Sequence, residues 1–102
     1  MGGSFDYHFE WDPAKAVGNR RKHGVGFELV ATLFRDALAL SRFDNEHSEA
    51  EDRWVTMGQA NNGKLLVVVH TFQVLDEHNA IVRIISSRKA TKREQRDYES
   101  TP

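Results

Sequence analysis

The sequence contains no cysteine, and this absence removes several kinds of chemistry at once. Disulfide bonds, thiolate metal sites and cysteine nucleophiles are all excluded, so the support on which small secreted domains usually depend is missing. No apolar run is long enough for a membrane span, and residues 1–4 lack the basic and apolar regions of a signal peptide. The sequence therefore predicts a protein of the reducing cytoplasm that does not associate with membranes.

A charge excess of one sign is also missing, because 14 Lys and Arg residues face 15 Asp and Glu residues, for a net charge of −1. A length of 102 residues predicts a single domain, 1–102, with residues 1–4 and 100–102 as flexible tails. The basic residues are nevertheless concentrated near the C-terminus. Between residues 83 and 98 they are Arg83, Arg88, Lys89, Lys92, Arg93 and Arg96.

This basic stretch is predicted to be a strand followed by a helix. Residues 80–87 are rich in β-branched side chains and carry one charge, Arg83. Thr91 and Glu94 have the spacing of a capping box, which predicts that a helix begins near Thr91. Strand alternation places the following residues on one face: Ile81, Arg83, Ile85 and Ser87.

The N-terminal third predicts one strand and two helices. Residues 5–11 alternate aromatic and polar side chains, as a half-buried outer strand does. Asp12 and Pro13 are typical of a helix N-cap and first turn, and Gly24 of a helix end. Apolar residues at helical spacing predict a second, core-facing helix over residues 27–34.

The middle of the chain predicts a strand at residues 37–43 and then an acidic loop, 44–52, that should be exposed and mobile. Residues 53–59 and 64–72 read as a hairpin, with Asn62 and Gly63 supplying positive φ angles at its turn. Because residues 65–69 are apolar on both faces, that strand is predicted to be central.

Taken together, these segments resemble the BrnT toxin family, the ribonuclease half of a bacterial type II toxin–antitoxin system. The resemblance covers residues 9–99 and includes single matches at Asn19 and Glu94. Its longer motifs are FEWDP at 9–13, KHGV at 22–25, HS at 47–48, EDR at 51–53, LLVVVHT at 65–71 and RIISSRKAT at 83–91.

The resemblance implies a small α+β domain similar to RelE, with an antiparallel sheet, two N-terminal helices and one C-terminal helix. It implies a metal-independent endoribonuclease that inhibits translation, with RNA as substrate and no cofactor. It also implies neutralisation by a BrnA-like ribbon-helix-helix antitoxin, through which alone the toxin would reach promoter DNA.

Metal-free cleavage of RNA needs a group that deprotonates the ribose 2′-hydroxyl, cations that stabilise charge at phosphorus, and an acid for the leaving 5′-oxygen. Arg83 and Arg53 are the candidates for charge stabilisation, since guanidinium groups bind phosphate bidentately. The candidates for proton transfer are His23, His70 and Tyr98, with the base and the acid undecided. The candidate RNA-binding residues are Lys22, Ser87, Arg88 and Lys89.

Each candidate also has a structural interpretation. Arg83 can close an ion pair with Glu94 or Asp97, and His70 can be a hydrogen-bonded core histidine. His23 can interact with the C-terminal dipole of the first helix. Plain structural or surface roles are open for Ser86, Ser87, Arg93, Arg96, His8, His47 and His78.

Two other functions fit the same residues. The basic stretch can belong to a non-catalytic module that binds protein or nucleic acid, or the chain can be a purely structural interaction domain. The histidines lack the HExxH spacing of a zinc enzyme, so the sequence predicts no metal site.

Overall fold

The computed structural model describes residues 6–100, so Phe5, the predicted tail 1–4 and all of the predicted tail 100–102 except Ser100 lie outside this part. Within it, three α-helices and a six-stranded sheet make up the fold, in the α+β class predicted from the sequence. None of the helices in this described part is long and apolar enough to cross a bilayer. The elements are β1 (Asp6–Glu10), α1 (Pro13–His23), α2 (Phe27–Ala31), β2 (Leu40–Phe43), β3 (Trp54–Gln59), β4 (Leu65–His70), β5 (Gln73–Val74), β6 (Asn79–Lys89) and α3 (Lys92–Glu99).

The strands lie in the order β1, β6, β4, β3, β2, and the short β5 pairs with β6. All neighbours are antiparallel except β1, which runs parallel to β6 with Tyr7 opposite Ala80. The predicted sheet was antiparallel throughout, so the structure corrects this detail. The two strands are distant in sequence, and no hairpin connection forces them to be antiparallel.

The core lies on one face of the sheet, where α2 and the 3₁₀ turn after it, Thr32–Arg35, pack. Leu66 and Val68 of the central strand β4 are buried there against fully buried Phe27 and Leu33. The predicted second helix over 27–34 is thus an α-helix that tightens into a 3₁₀ turn. Burial of its apolar side chains holds this short helix in place, since isolated helices of this length are unstable in water.

Helix α1 is built as the sequence predicts. The Asp12 carboxylate accepts a hydrogen bond from the backbone N–H of Ala14, and Gly24 ends the helix with φ of +70°. A side chain that the sequence did not single out for structure, Asn19, fixes the helix to the sheet. Its amide oxygen accepts the backbone N–H of Ser87 at 3.0 Å, and its nitrogen donates to the Val25 carbonyl at 3.3 Å. These bonds hold the C-terminal end of α1 beside β6.

The turn between β3 and β4 differs from the prediction in one respect. Gly63 has φ of +85°, whereas Asn62 does not adopt a positive φ, so only one left-handed position is used. The Asn62 side chain instead accepts the backbone N–H of Lys64 at 3.0 Å. The loop is therefore a longer hairpin connection with its left-handed residue at the glycine.

A β-bulge interrupts the pairing of β4 with β6. Val69 pairs with Ser86 but His70 pairs with Ile84, so Ile85 is an extra residue in β6. The bulge reverses the alternation from there on. Ser87 lies on the buried face with Ile84, and Ser86 takes the open face with Arg83, which corrects the predicted placement of Ser87 beside Arg83.

Candidate active site on the open face

The sheet face opposite the core carries a groove of about 640 Å³, which we call the open groove. Apolar side chains of β3, β4 and β6 form its floor, with Val55, Val67 and Val69 at the centre. The loop between β2 and β3 and the end of α1 form its sides. Its titratable and charged side chains are His23, Arg42, Asp44, Glu46, His47, Arg53 and Arg88.

Four guanidinium groups share this face because of their positions in the strands. Arg42 pairs with Val55, and Arg53 precedes Val55 by two residues, so both lie on the groove side. Arg88 pairs with Val67 and lies on the same side. Arg83 precedes the bulge in β6 and also lies on this side, because its neighbour Ile84 faces the core. The open face therefore groups four guanidinium groups, with carboxylates of the acidic loop beside them.

Glu51 connects Arg83 to the groove. One carboxylate oxygen accepts from Arg83 Nη2, and the other lies 3.4 Å from Arg53 Nη2. Arg83 thus has an internal anion, but this is Glu51 of the acidic loop and not the predicted Glu94 or Asp97. The Arg83 side chain is still 40% exposed, and four of its five N–H donors are not used by Glu51.

Burial raises the pKa of Glu51, but hydrogen bonds from Arg83 and Arg53 outweigh that effect and lower the pKa overall. Glu51 is therefore ionised at neutral pH and holds two guanidinium groups as a phosphate would. We expect Glu51→Gln to bind inorganic phosphate about fivefold more tightly than the parent, because the competing anion is gone. Glu49→Gln is the matched control, and equal phosphate affinity of all three proteins by calorimetry would contradict competition by Glu51.

His47 lies on the side of the groove formed by the acidic loop. Its Nδ1 is 3.0 Å from Asp44 Oδ2 and 3.2 Å from Oδ1, and its side chain is 65% exposed. Asp44 itself is buried, and it also accepts the backbone N–H of Glu46 as the cap of the 3₁₀ turn Asn45–His47. The acidic loop thus contains a short 3₁₀ turn capped by Asp44. Most of its residues are exposed, as predicted, and its mobility stays a prediction.

Arg88 forms a bidentate ion pair with Glu94, at 2.8 and 3.0 Å, while Glu94 also completes the predicted capping box of α3 with Thr91. Hydrogen bonds from Arg88, with others from Thr91, lower the pKa of Glu94 from 4.5 to about 2 despite partial burial. A carboxyl group with a lowered pKa stabilises the fold above its unfolded pKa and loses that contribution as pH falls through the folded value.

We therefore expect the melting temperature of the parent to fall more steeply than that of Glu94→Gln between pH 4.5 and about 2. The two curves should converge near the bottom of that range. Glu99→Gln at the end of α3 is the control, and calorimetric curves of parent and Glu94→Gln that stay parallel would show that the pair adds no stability.

Among the other predicted site residues, His23 lines the groove at the end of α1, and buried Ser87 lies beneath it. Lys22 precedes His23 and Lys89 follows Arg88 in the sequence; both lysines are exposed and neither lines the groove. Lys89 pairs with Leu66 of the core face, whereas Arg88 pairs with Val67 on the groove side, and the RNA-binding role of both lysines stays a prediction.

Predicted catalytic His70 lies on the core face, 3% exposed. Its Nδ1 donates to the Thr71 carbonyl at 2.9 Å, its Nε2 accepts from Thr56 Oγ1 at 2.7 Å, and its ring meets Phe34 edge to face. Burial lowers the pKa of His70, so the ring is neutral. This geometry matches the structural interpretation of His70 and not the catalytic one.

Tyr98 is also separated from the groove. Its hydroxyl donates to Asp36, which holds α3 against the segment before β2. The bond to Asp36, with burial, raises the pKa of Tyr98 to about 12, which makes the phenol a poor proton donor near neutral pH. The structure thus gives Tyr98 a hydrogen bond that joins two elements, away from the arginine residues of the groove.

Ser87 lies under the groove, 3% exposed, and its hydroxyl donates to the Val67 carbonyl at 2.8 Å. Ser87 is buried because the bulge at Ile85 turns Ser86, and not Ser87, to the open side. Of the two serines, Ser86 is the one placed to meet a ligand.

Sequence reasoning missed two groove residues, Arg42 and His47, and also Glu51, which contacts Arg53 and Arg83. Arg42 alternates with apolar residues in a predicted strand, which was a usable signal. His47 and Glu51 belong to the motifs of the acidic loop, but nothing in their spacing showed that the loop folds back onto the sheet. Among residues 6–100, no three histidine, aspartate or glutamate side chains are grouped to hold a metal ion.

Comparison with known proteins identifies the family of this chain. A family described as the ribonuclease toxin BrnT of type II toxin–antitoxin systems matches residues 11–94. The chain belongs to the BrnT family. The crystal structure of the Brucella abortus ribonuclease toxin BrnT is similar with a TM-score of 0.47 and 23% identity, covering 80% of this chain and 94% of that one. A search among curated proteins found no match.

Membership in the BrnT family confirms the family predicted from the sequence motifs. It also makes this chain the toxin type of a toxin–antitoxin pair, whose family name states a ribonuclease activity. The likeness to RelE stays a prediction.

Proposed function

We propose that this BrnT-family chain is a metal-independent endoribonuclease that cleaves RNA in the open groove. The observation that carries the proposal is the convergence of Arg42, Arg53 and Arg88 on one groove with a histidine at its side, His23. Arg83 joins this set through Glu51. Cations for a phosphate and a group for proton transfer, the two requirements of metal-free RNA cleavage, thus lie on the same face.

In the proposed reaction, the ribose 2′-oxygen attacks phosphorus while the bond from phosphorus to the 5′-oxygen breaks. Arg53 and Arg83 bind the non-bridging oxygens, where negative charge increases in the transition state. The N–H groups that do not contact Glu51 are available for this, so the phosphate can enter beside the carboxylate or replace it. The products are a 2′,3′-cyclic phosphate and a free 5′-hydroxyl.

Inhibition of translation and neutralisation by an antitoxin are part of the same proposal. They rest on the family, whose members belong to type II toxin–antitoxin systems. The partner proposed from the sequence is a BrnA-like ribbon-helix-helix protein that also binds the promoter, and the compartment is the cytoplasm. Expression of the chain alone should arrest growth, and co-expression of the adjacent reading frame should relieve the arrest.

The direct test is to incubate the purified chain with a 5′-labelled RNA in excess EDTA. We expect cleavage that ends in 2′,3′-cyclic phosphate, and no cleavage of the same sequence made as DNA, which lacks the attacking hydroxyl. Intact RNA under these conditions, together with cleavage restored by Mg²⁺ or Mn²⁺, would overturn metal independence. Salt-dependent RNA binding without cleavage under any condition would favour the non-catalytic module.

A further inference from the structure

The BrnT-family groove contains a second histidine that the sequence motifs did not mark as catalytic. Asp44 holds His47 Nδ1 at 3.0 Å, and the ring lines the groove with 65% of the side chain exposed. A carboxylate on Nδ1 fixes the tautomer with its proton on that nitrogen, which leaves Nε2 as an acceptor. The imidazole is thereby oriented for proton transfer at Nε2.

The carboxylate that orients His47 is itself held rigidly. Asp44 is buried, its backbone N–H donates to the Arg53 carbonyl at 2.8 Å, and its carbonyl accepts the Ser48 hydroxyl. Ser48 in turn accepts the backbone N–H of Arg53 at 3.0 Å. The backbone that carries the imidazole is therefore tied to the residue that carries one of the phosphate-binding guanidinium groups.

This connection links the backbone segments that carry a proton-transfer group and a cation. Such positioning matters because proton transfer requires hydrogen-bond reach to the reacting oxygen. A surface histidine with no role would need neither the buried carboxylate nor the link to Arg53. His78, exposed in the connection between β5 and β6, is an example without these contacts.

We propose that His47 is the general base of the cleavage reaction and that Asp44 is its positioning residue. The inference rests on the proposed ribonuclease function. Neutral His47 accepts the 2′-hydroxyl proton at Nε2 as the 2′-oxygen bonds to phosphorus, and protonated His23 gives its proton to the leaving 5′-oxygen. Exchange with water then restores both histidines.

Charged side chains surround His47 in the groove. The titratable and charged groups that face it across the groove or along its own loop are Asp44, Glu46, Arg42, Arg53, His23 and Arg88.

The kinetic test compares His47→Gln with His78→Gln in steady-state cleavage across pH 5 to 9. We expect His47→Gln to lower kcat by a factor of about 10² to 10⁴ with KM within twofold, and to remove the acidic limb of the pH profile. Asp44→Asn should keep the cap on the 3₁₀ turn, because asparagine also caps, and lower kcat by about tenfold. A parent-like kcat in His47→Gln, or equal losses in the two histidine variants, would overturn the inference.

A second measurement does not depend on turnover. Nitrogen-detected NMR of the parent protein with an RNA that carries a single 2′-deoxy nucleotide reports on each imidazole. We expect His47 Nε2 to shift on binding and His78 to stay unchanged. RNA binding that leaves His47 Nε2 unchanged would contradict the inference even if the protein cleaves RNA. A failure to cleave with this shift present would overturn the proposed function and the general-base role with it, and would leave His47 as an RNA contact.

Discussion

Arg83→Ala is expected to lower the rate of RNA cleavage by about 10² to 10³-fold, the effect of removing one group that stabilises transition-state charge. Its guanidinium group is exposed enough to meet a phosphate and is held in place by Glu51. The melting temperature should stay within about 3 °C of the parent value, because the ion pair lost is partly exposed, and such pairs contribute little to stability.

Single-turnover cleavage and thermal unfolding of the same preparation check this result. Arg93→Ala on the exposed side of α3 is the matched control and should cleave like the parent. A large loss of stability in Arg83→Ala would assign the residue to an internal ion pair. Unchanged stability with unchanged cleavage would remove Arg83 from the mechanism.

His70→Ala should have the opposite effect, a loss of about 2 to 5 kcal/mol in unfolding free energy with little change in cleavage per folded molecule. The substitution opens a cavity beside Phe34 and deprives the buried Thr56 hydroxyl of its acceptor. Thr56 also bonds the Ser41 hydroxyl at 2.7 Å, so the loss reaches the pairing of β2 with β3. Denaturant unfolding gives the free energy.

His78→Ala is the control for this prediction, because that residue is exposed and its loss should leave unfolding unchanged. Cleavage should be measured well below the melting temperature of the variant, so that both proteins are folded. A stable His70→Ala protein that no longer cleaves RNA would return His70 to the catalytic residues.

The features that the sequence predicted best are those set by neighbouring residues. The Asp12 cap, the capping box of Thr91 and Glu94, and the left-handed turns at Gly24 and Gly63 depend on side chains within a few positions. Strong apolar character likewise predicted that β4 is central. These local rules placed all three helices and the main strands.

Long-range pairing decided the rest. The parallel contact of β1 with β6 joins segments more than 70 residues apart, and the bulge at Ile85 depends on how two strands align. A shift of one residue in alternation moved Ser87 from the predicted site to the buried face. Neither feature leaves a pattern in a single sequence.

The candidate site was predicted only in part, because some of its contacts are also long-range. Arg53, Arg83 and Arg88 were recognised because a charged side chain in or beside an apolar strand must find a partner. His23 was recognised because it ends a helix and can titrate near neutral pH. The partner of Arg83 could not be found, since Glu51 comes from a loop 32 residues away. The pairing of Glu94 with Arg88 then follows from the position of α3 next to the end of β6.

The most direct measurement of the central claim is an NMR titration of the arginine Nε–H resonances with an uncleavable RNA that has a 2′-deoxy group at the scissile position. If the open face binds the scissile phosphate, the signals of Arg53 and Arg83 shift together, and those of Arg35 and Arg93 outside the groove do not. Shifts confined to Arg93 and its neighbours on α3, with Arg53 and Arg83 unchanged, would contradict the account.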